Sequence, residues 1–291
     1  MALGISYQDI MRSLIGPGGC ATDSLFAIRP AHDSRNPHCD AFVCDFKSRR
    51  IARDAERMFF AFPPQTVECP SADAKHRELF KACWKGQRTS VLARCLFVNI
   101  ARHALLGHSD PPLQLSAMFA TDGTSSVWRP SSETSLRALS LPLRSAEAYG
   151  SSRSPIDEGH VYLPAAPSRA VTPTCDAFFF DSEIGSAQRV NLWILQSTVS
   201  ATCKTKSDSA IRLRRLITAA RTHCLHTAQN NRASRKRKRD SGDAVTVCLN
   251  LVLVHPDVQD RNWSWEMPVD WIEDWQDMRC EPHVYHMPLS I

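Results

Sequence analysis

Asp176-Ala-Phe-Phe-Phe-Asp181 is an apolar run that opens on a carboxylate, and Trp193-Ile-Leu-Gln-Ser-Thr198 is a second apolar run that ends on Gln-x-Thr. Both runs predict strands. Metal-assisted hydrolysis needs hard oxygen ligands for a cation such as Mg²⁺ and a group that orients water. The pattern therefore predicts a candidate catalytic metal site: Asp176 and Gln196 would hold Mg²⁺, and Thr198 would position water. The alternative is two core strands with polar ends.

The rest of the chain predicts alternating helices and strands. Helical spacing of apolar residues occurs over residues 41–60, 73–84, 90–106 and 207–222. Extended segments are predicted at residues 24–29, 113–119, 126–129 and 283–289. The continuous apolar run of residues 245–254 is typical of a strand buried on both faces of an α/β sheet. We therefore predict an α/β fold with a mixed central sheet flanked by helices and an N-terminal helical segment.

Composition limits the class of protein. The chain has 291 residues, 43% apolar and 22% charged, with a net charge of +5, which is ordinary for a globular protein. No apolar run reaches the roughly 18–20 residues that span a bilayer, and no signal peptide is recognisable. The 11 cysteines include no C-x-x-C pair, which favours reduced thiols. We expect no membrane partner, and the absence of a P-loop sequence predicts no nucleotide cofactor.

A basic run lies in a polar surrounding between residues 229 and 243. It consists of Arg232, Arg235, Lys236, Arg237, Lys238 and Arg239. Clustered like charges repel one another, so we expect a disordered basic loop over residues 229–243. Such a cluster is typical of a nuclear localisation signal read by an import receptor, or of a contact with nucleic-acid phosphates. A solvated loop without a partner is the third interpretation.

Two other features invite a site but favour an ordinary structural role. Cys280-x-x-His283-x-x-His286 lies in a predicted extended segment, where residues three apart point to opposite faces of a strand. The tryptophans between residues 263 and 275 have acidic neighbours, which repel phosphate. We therefore predict that Trp271 and Trp275 pack into the core from a helix.

Several segments together resemble the C-terminal restriction-endonuclease-like module of Crinkler and retrotransposon hot spot (RHS) proteins, over about residue 20 to the end. They are Asp23-Ser-Leu-Phe-Ala-Ile-Arg-Pro30, Asp40-Ala-Phe-Val-Cys-Asp-Phe-Lys-Ser48, Leu96-Phe-Val-Asn-Ile-Ala-Arg-His-Ala-Leu105, Val161-Tyr-Leu-Pro-Ala-Ala-Pro167, Asp176-Ala-Phe-Phe-Phe180, Trp193-Ile-Leu-Gln-Ser-Thr198, Leu251-Val-Leu-Val254 and Tyr285-His-Met-Pro-Leu289. The resemblance implies an N-terminal tail (residues 1–20), an N-terminal α/β-helical segment (residues 21–89) and a restriction-endonuclease-like domain (residues 90–291).

The resemblance also implies an activity and a place in the cell. It implies a nuclear, effector-type protein that acts on or binds nucleic acid, and for secreted members delivery into a host and its nucleus. The family's helix motif usually carries a glutamate that completes the metal site, and Val98 occupies that position here. We therefore expect a weakened or inactive Mg²⁺-dependent nuclease. The alternative is a catalytically inactive module that binds a nuclear or host protein.

Overall fold

The structure is a computed structural model that describes a discontinuous set of residues. These are residues 26–30, 42–48, 50–52, 77–81, 84, 91–108, 113–121, 126–131, 136–139, 145–149, 158, 160–164, 175–182, 189–205, 210–233, 245–258, 262–268, 271, 273, 275 and 278–291. Within them the fold is mixed α/β, with one large mixed sheet and few helices. The predicted α/β class is confirmed at that level.

Thirteen strands are present in the described residues. They are β1 (Phe26–Pro30), β2 (Phe42–Phe46), β3 (Leu113–Ala120), β4 (Val127–Pro130), β5 (Leu136–Leu139), β6 (Ser145–Tyr149), β7 (His160–Pro164), β8 (Ala177–Ser182), β9 (Arg189–Ser197), β10 (Thr202–Lys204), β11 (Thr246–Pro256), β12 (Ser264–Glu266) and β13 (Cys280–Leu289). The large sheet has the order β10-β12-β4-β3-β13-β11-β9-β8-β7-β6, with β5 paired to β3. Strands β1 and β2 form a separate antiparallel pair.

The centre of the large sheet combines antiparallel and parallel pairing. Strand β8 is antiparallel to β7 and β9, whereas β11 is parallel to both β9 and β13. Helix α2 (Ala210–Ala233) lies in the chain between β10 and β11. It belongs to the long crossover connection that the parallel neighbours β9 and β11 need. Residues 247–256 of β11 are all buried, so the predicted strand buried on both faces is confirmed.

Two apolar cores cover the two faces of this sheet. Helix α1 (Val91–His103), which continues as a π-helical turn (Ala104–His108), lies over one face. The first core also includes Phe46, Ala52 and Phe80, and the rings of Phe80 and Phe97 are 5.5 Å apart. Helix α2 covers the other face together with buried tryptophans. The N-terminal segment therefore shares a core with helix α1.

The predicted helix over residues 41–60 is wrong at its start, because residues 42–46 form β2. The four-residue spacing of Phe42 and Phe46 fits a helix, but the almost continuous apolar run between them also fits a strand, and pairing with β1 decides it. Of the described residues in this stretch, residues 50–52 are helical. Ser48 precedes them, and its hydroxyl accepts a hydrogen bond from the Ile51 amide at 3.2 Å, as a helix cap does.

Helix α2 is longer than predicted and corrects part of the expected disordered loop. Residues 229–233 are helical, because no proline or glycine interrupts residues 223–233; residues 234–243 lie outside the described residues. Trp271 and Trp275 are buried helical residues in the second core, which confirms that prediction. In the part of the chain that the structure describes, no helix has the length and apolarity to cross a membrane.

Candidate functional site

The structure brings Asp176 and Gln196 together where β8 begins and β9 ends. The main-chain N–H of Asp176 donates to the Leu195 carbonyl at 2.8 Å and so fixes the two strand ends side by side. The Gln196 side-chain amide donates to Asp176 Oδ2 at 3.1 Å. The main-chain N–H of Ser197 donates to the same oxygen at 2.5 Å. The carboxyl group is therefore held by two donors of the neighbouring strand.

The Asp176 carboxyl is in an environment that penalises its charge. Its residue is only 2% exposed. Burial raises the pKa of this carboxyl above its ordinary value; the Arg94 guanidinium, the hydrogen bonds from Ser197 and the Arg102 guanidinium oppose that rise and offset it only in part. Removing a carboxylate from water costs more than these partners return, so proton binding is favoured at this position.

Two arginines of helix α1, Arg94 and Arg102, contribute positive charge at the site. Arg102 is buried, and its Nη2 donates to the Asp176 main-chain carbonyl at 3.4 Å. Burial lowers the pKa of Arg102, and the charge of Asp176 opposes that change. Sequence reasoning missed both Arg94 and Arg102. Arg102 had a signal, because a cation within the otherwise apolar helix motif requires a polar partner once the helix packs on the sheet, whereas the exposed Arg94 had none.

Thr198 does not meet the carboxylate in this arrangement. Its hydroxyl donates to the Ser200 carbonyl at 3.1 Å and accepts from the Ser200 amide at 3.0 Å. Its own main-chain N–H donates to the Val254 carbonyl at 2.8 Å. Thr198 therefore stabilises the turn that follows β9, and the water-positioning role predicted for it has no geometric support among these contacts.

Asp181 is the other carboxylate of this strand, and it belongs to a different place. It accepts hydrogen bonds from Asn191 Nδ2 at 2.9 Å and Trp193 Nε1 at 3.2 Å. It lies five positions after Asp176 along the strand, which is about 17 Å at the usual rise. Asp181 therefore does not supply a second ligand beside Asp176.

The residues beside Asp176 fit Mg²⁺ poorly. Magnesium favours several oxygen ligands, whereas here two N–H donors point at the carboxylate and arginines supply the nearby positive charge. Val98, where the resemblance would place a glutamate, is 2% exposed and apolar. Within the described ranges no group of three His, Cys, Asp or Glu side chains could hold a metal ion. The arrangement favours a structural polar pair.

The basic run is only partly described. Arg232 lies in the last turn of helix α2. Arg235, Lys236, Arg237, Lys238 and Arg239 lie outside the described residues. The run therefore starts at the carboxyl end of helix α2, where a positive charge interacts favourably with the helix dipole.

Comparisons with known proteins add no relative. No protein-family model matches the chain, and neither curated proteins nor solved structures give a significant match.

Proposed function

We propose that this chain is a Crinkler- and RHS-type restriction-endonuclease-like domain that binds nucleic acid in the nucleus and has little or no Mg²⁺-dependent nuclease activity. One observation carries the second half of this proposal. The carboxylate at the expected metal position is buried and accepts hydrogen bonds from Gln196 and Ser197, which occupy the oxygen that a cation would need.

The order and pairing of the central elements support the fold in this proposal. Helix α1 is followed, after intervening strands, by β7, β8 and β9, then by α2 and β11. Strands β7, β8 and β9 are antiparallel neighbours, and β11 adds in parallel to β9. A restriction-endonuclease-like core has this order, with its acidic residue at the start of the β8-equivalent strand.

Charge supports nucleic acid as the partner. Six basic side chains occur within the eight residues 232–239. Each phosphate that they neutralise adds roughly −0.9 to the slope of log affinity against log salt on duplex DNA. Binding through this run therefore has a measurable signature, a slope of about −3 to −5 if half or more of the six charges contact phosphates.

A cleavage assay tests the catalytic half of the proposal. The purified chain is incubated with plasmid DNA and with RNA in Mg²⁺ or Mn²⁺, beside Asp176→Asn and Asp176→Ala. We expect no cleavage above the background of the two variants. Metal-dependent cleavage that both variants lose would instead establish the second candidate, an active nuclease.

A binding assay tests the other half. Affinity for a duplex and for a single strand is measured between 50 and 300 mM salt, beside a variant in which Arg235, Lys236, Arg237, Lys238 and Arg239 are alanine. We expect that this variant loses most of the affinity and of the salt slope. Absence of salt-dependent binding by the original chain would favour the alternative, a module that binds a nuclear or host protein.

Nuclear import is tested separately with a fluorescent fusion. The same alanine variant should leave the nucleus, because an import receptor reads clustered basic side chains. Unchanged nuclear accumulation would remove the import role and leave the nucleic-acid contact to be judged by the binding assay.

A further inference from the structure

A pair of histidines lies on β11 and β13, whereas Asp176 directly precedes β8. His255 is near the end of β11 and is 3% exposed. The indole of Trp263 stacks on it with ring centroids 4.2 Å apart and planes 21° apart. His255 Nε2 is 3.0 Å from Nδ1 of His286, which lies on β13 and is half-buried. The two imidazole planes differ by only 9°, so the contact lies nearly in the plane of both rings.

The hydrogen-bond partners define the tautomers of both rings. His255 Nδ1 is 2.9 Å from the Pro256 carbonyl oxygen, which can only accept. His255 Nδ1 therefore carries the proton, and in the neutral ring its Nε2 must accept. His286 Nδ1 is then the donor, and His286 Nε2 keeps its lone pair. The Pro256 carbonyl holds His255, and His255 in turn holds the His286 ring. The basic nitrogen of His286, Nε2, is then turned away from β11.

Ser116 lies on the neighbouring strand, at the position paired with His286. His286 pairs directly with Ser116 of β3, on the side of β13 opposite to β11. Directly paired residues of antiparallel strands share a face, with Cβ atoms about 4.5–5.5 Å apart. Met118 and Val284, two positions away on each strand, both lie in the second core, which identifies the common face. Rotation about the Ser116 Cα–Cβ bond can turn the hydroxyl towards His286.

We propose that Ser116 and His286 form a nucleophile–base pair, positioned by His255, that accepts an acyl group from an ester or thioester. The Ser116 Oγ–H proton passes to His286 Nε2 while Oγ bonds to the carbonyl carbon. When the tetrahedral intermediate collapses, the bond to the leaving oxygen or sulfur breaks, and that atom takes the proton from His286. Water, deprotonated by the same nitrogen, then releases the acid and restores Ser116.

Two further observations suit this chemistry. Burial lowers the pKa of His286, and lowers that of His255 to about 4, so both rings are neutral and the base is competent at neutral pH. Ser116 and His286 are each half-buried, whereas His255 is covered by Trp263. The reacting groups can therefore meet a substrate while water is kept from the positioning bond. The pair does not involve Asp176 and is independent of the nucleic-acid proposal.

The test uses the full chain with two probes, p-nitrophenyl acetate and a fluorophosphonate. We expect release of p-nitrophenol from the ester, and stoichiometric labelling of the folded protein by the fluorophosphonate, mapped to Ser116 by peptide mass spectrometry. Ser116→Ala should abolish it, and His286→Gln should slow it by about 100-fold or more. Ser131→Ala, which removes another half-buried serine next to the same sheet, is the matched control and should keep the labelling. Labelling that is absent, lies elsewhere or persists in His286→Gln would overturn the proposal.

His255 needs a readout that a merely structural role would not change. In Ser116→Cys, the rate at which iodoacetamide alkylates the introduced thiol is measured as a function of pH. This rate reports the basicity and the orientation of His286. Adding His255→Gln should lower the rate and move its pH midpoint, with the circular dichroism spectrum unchanged. An identical pH profile with and without His255 would reject its positioning role. Alkylation of the introduced thiol at the rate of an unfolded control would reject the pair itself.

Discussion

Replacement of Asp176 separates a structural carboxylate from a metal ligand. Asn keeps the shape and one acceptor oxygen for Gln196 and Ser197 but carries no charge. Ala removes the acceptor altogether. An unsatisfied buried donor costs about 1–3 kcal/mol. Since the Ser197 N–H is buried and the Gln196 amide is half-buried, Asp176→Ala should be about 2–4 kcal/mol less stable than Asp176→Asn.

The charge of Asp176 determines whether Asp176→Asn is more or less stable than the original chain. The pKa of Asp176 is raised in the folded protein, so the folded state retains the proton more readily than the unfolded state. Stability from this group is therefore present at low pH and is lost as pH rises through the folded pKa. Because the carboxyl is ionised in the unfolded state at pH 7, folding is penalised there, and Asp176→Asn should be at least as stable as the original chain.

Urea unfolding at pH 7 and at pH 4 measures these differences. Asp181→Ala is the matched control, because Asp181 also accepts two hydrogen bonds on β8 but remains partly exposed, and its loss should cost about 1 kcal/mol. The reasoning is refuted if Asp176→Ala matches Asp176→Asn, or if Asp176→Asn is clearly less stable at pH 7 than the original chain. The second result would mean that the ionised carboxylate stabilises the fold.

Three further predictions concern other parts of the structure. The pKa of His255 is lowered to about 4 by burial, so stability should fall by of order 3 kcal/mol as pH falls from 6.5 to 4. When the urea midpoint is plotted against pH, His255→Phe should flatten that part of the curve. An unchanged curve would contradict the burial of His255. Val98→Glu, at a position 2% exposed, should cost several kcal/mol by chemical unfolding because it buries a carboxylate, and equal stability would mean that the glutamate reaches water. Arg279 has a φ of 52°, so Arg279→Gly should raise the melting temperature by a few degrees, and a lower value would mean that the unfolded-state entropy of glycine dominates.

The sequence predicts the central sheet well because its strands are recognisable locally. The continuous apolar run of β11 has no helical alternative that leaves a polar face, so burial on both sides follows from composition alone. Strand β2 could not be predicted in the same way. Phe42 and Phe46 satisfy both a strand and a helix, and the partner that decides between them, β1, is a separate segment.

The candidate site likewise has one part that the sequence predicts and one part that it does not. The meeting of Asp176 and Gln196 follows from two strands that are adjacent in the chain and form an antiparallel pair. The burial of the carboxylate does not, since it depends on how helix α1 and its arginines pack on the sheet. The histidine pair was beyond sequence reasoning for a similar reason: it joins residues 31 apart through the register of two parallel strands.

The donors around Asp176 also indicate how hard the site would be to convert into a metal centre. Gln196 can be replaced, but the Ser197 donor is a main-chain N–H fixed by the strand, and no side-chain substitution removes it. A glutamate introduced at position 98 would be buried in an apolar environment, because Val98 is only 2% exposed. Introducing acidic residues at these positions one at a time should therefore lower stability before it adds metal affinity. A structural role for Asp176 and metal binding therefore oppose each other, because each neighbour that holds the carboxylate hinders the approach of a cation.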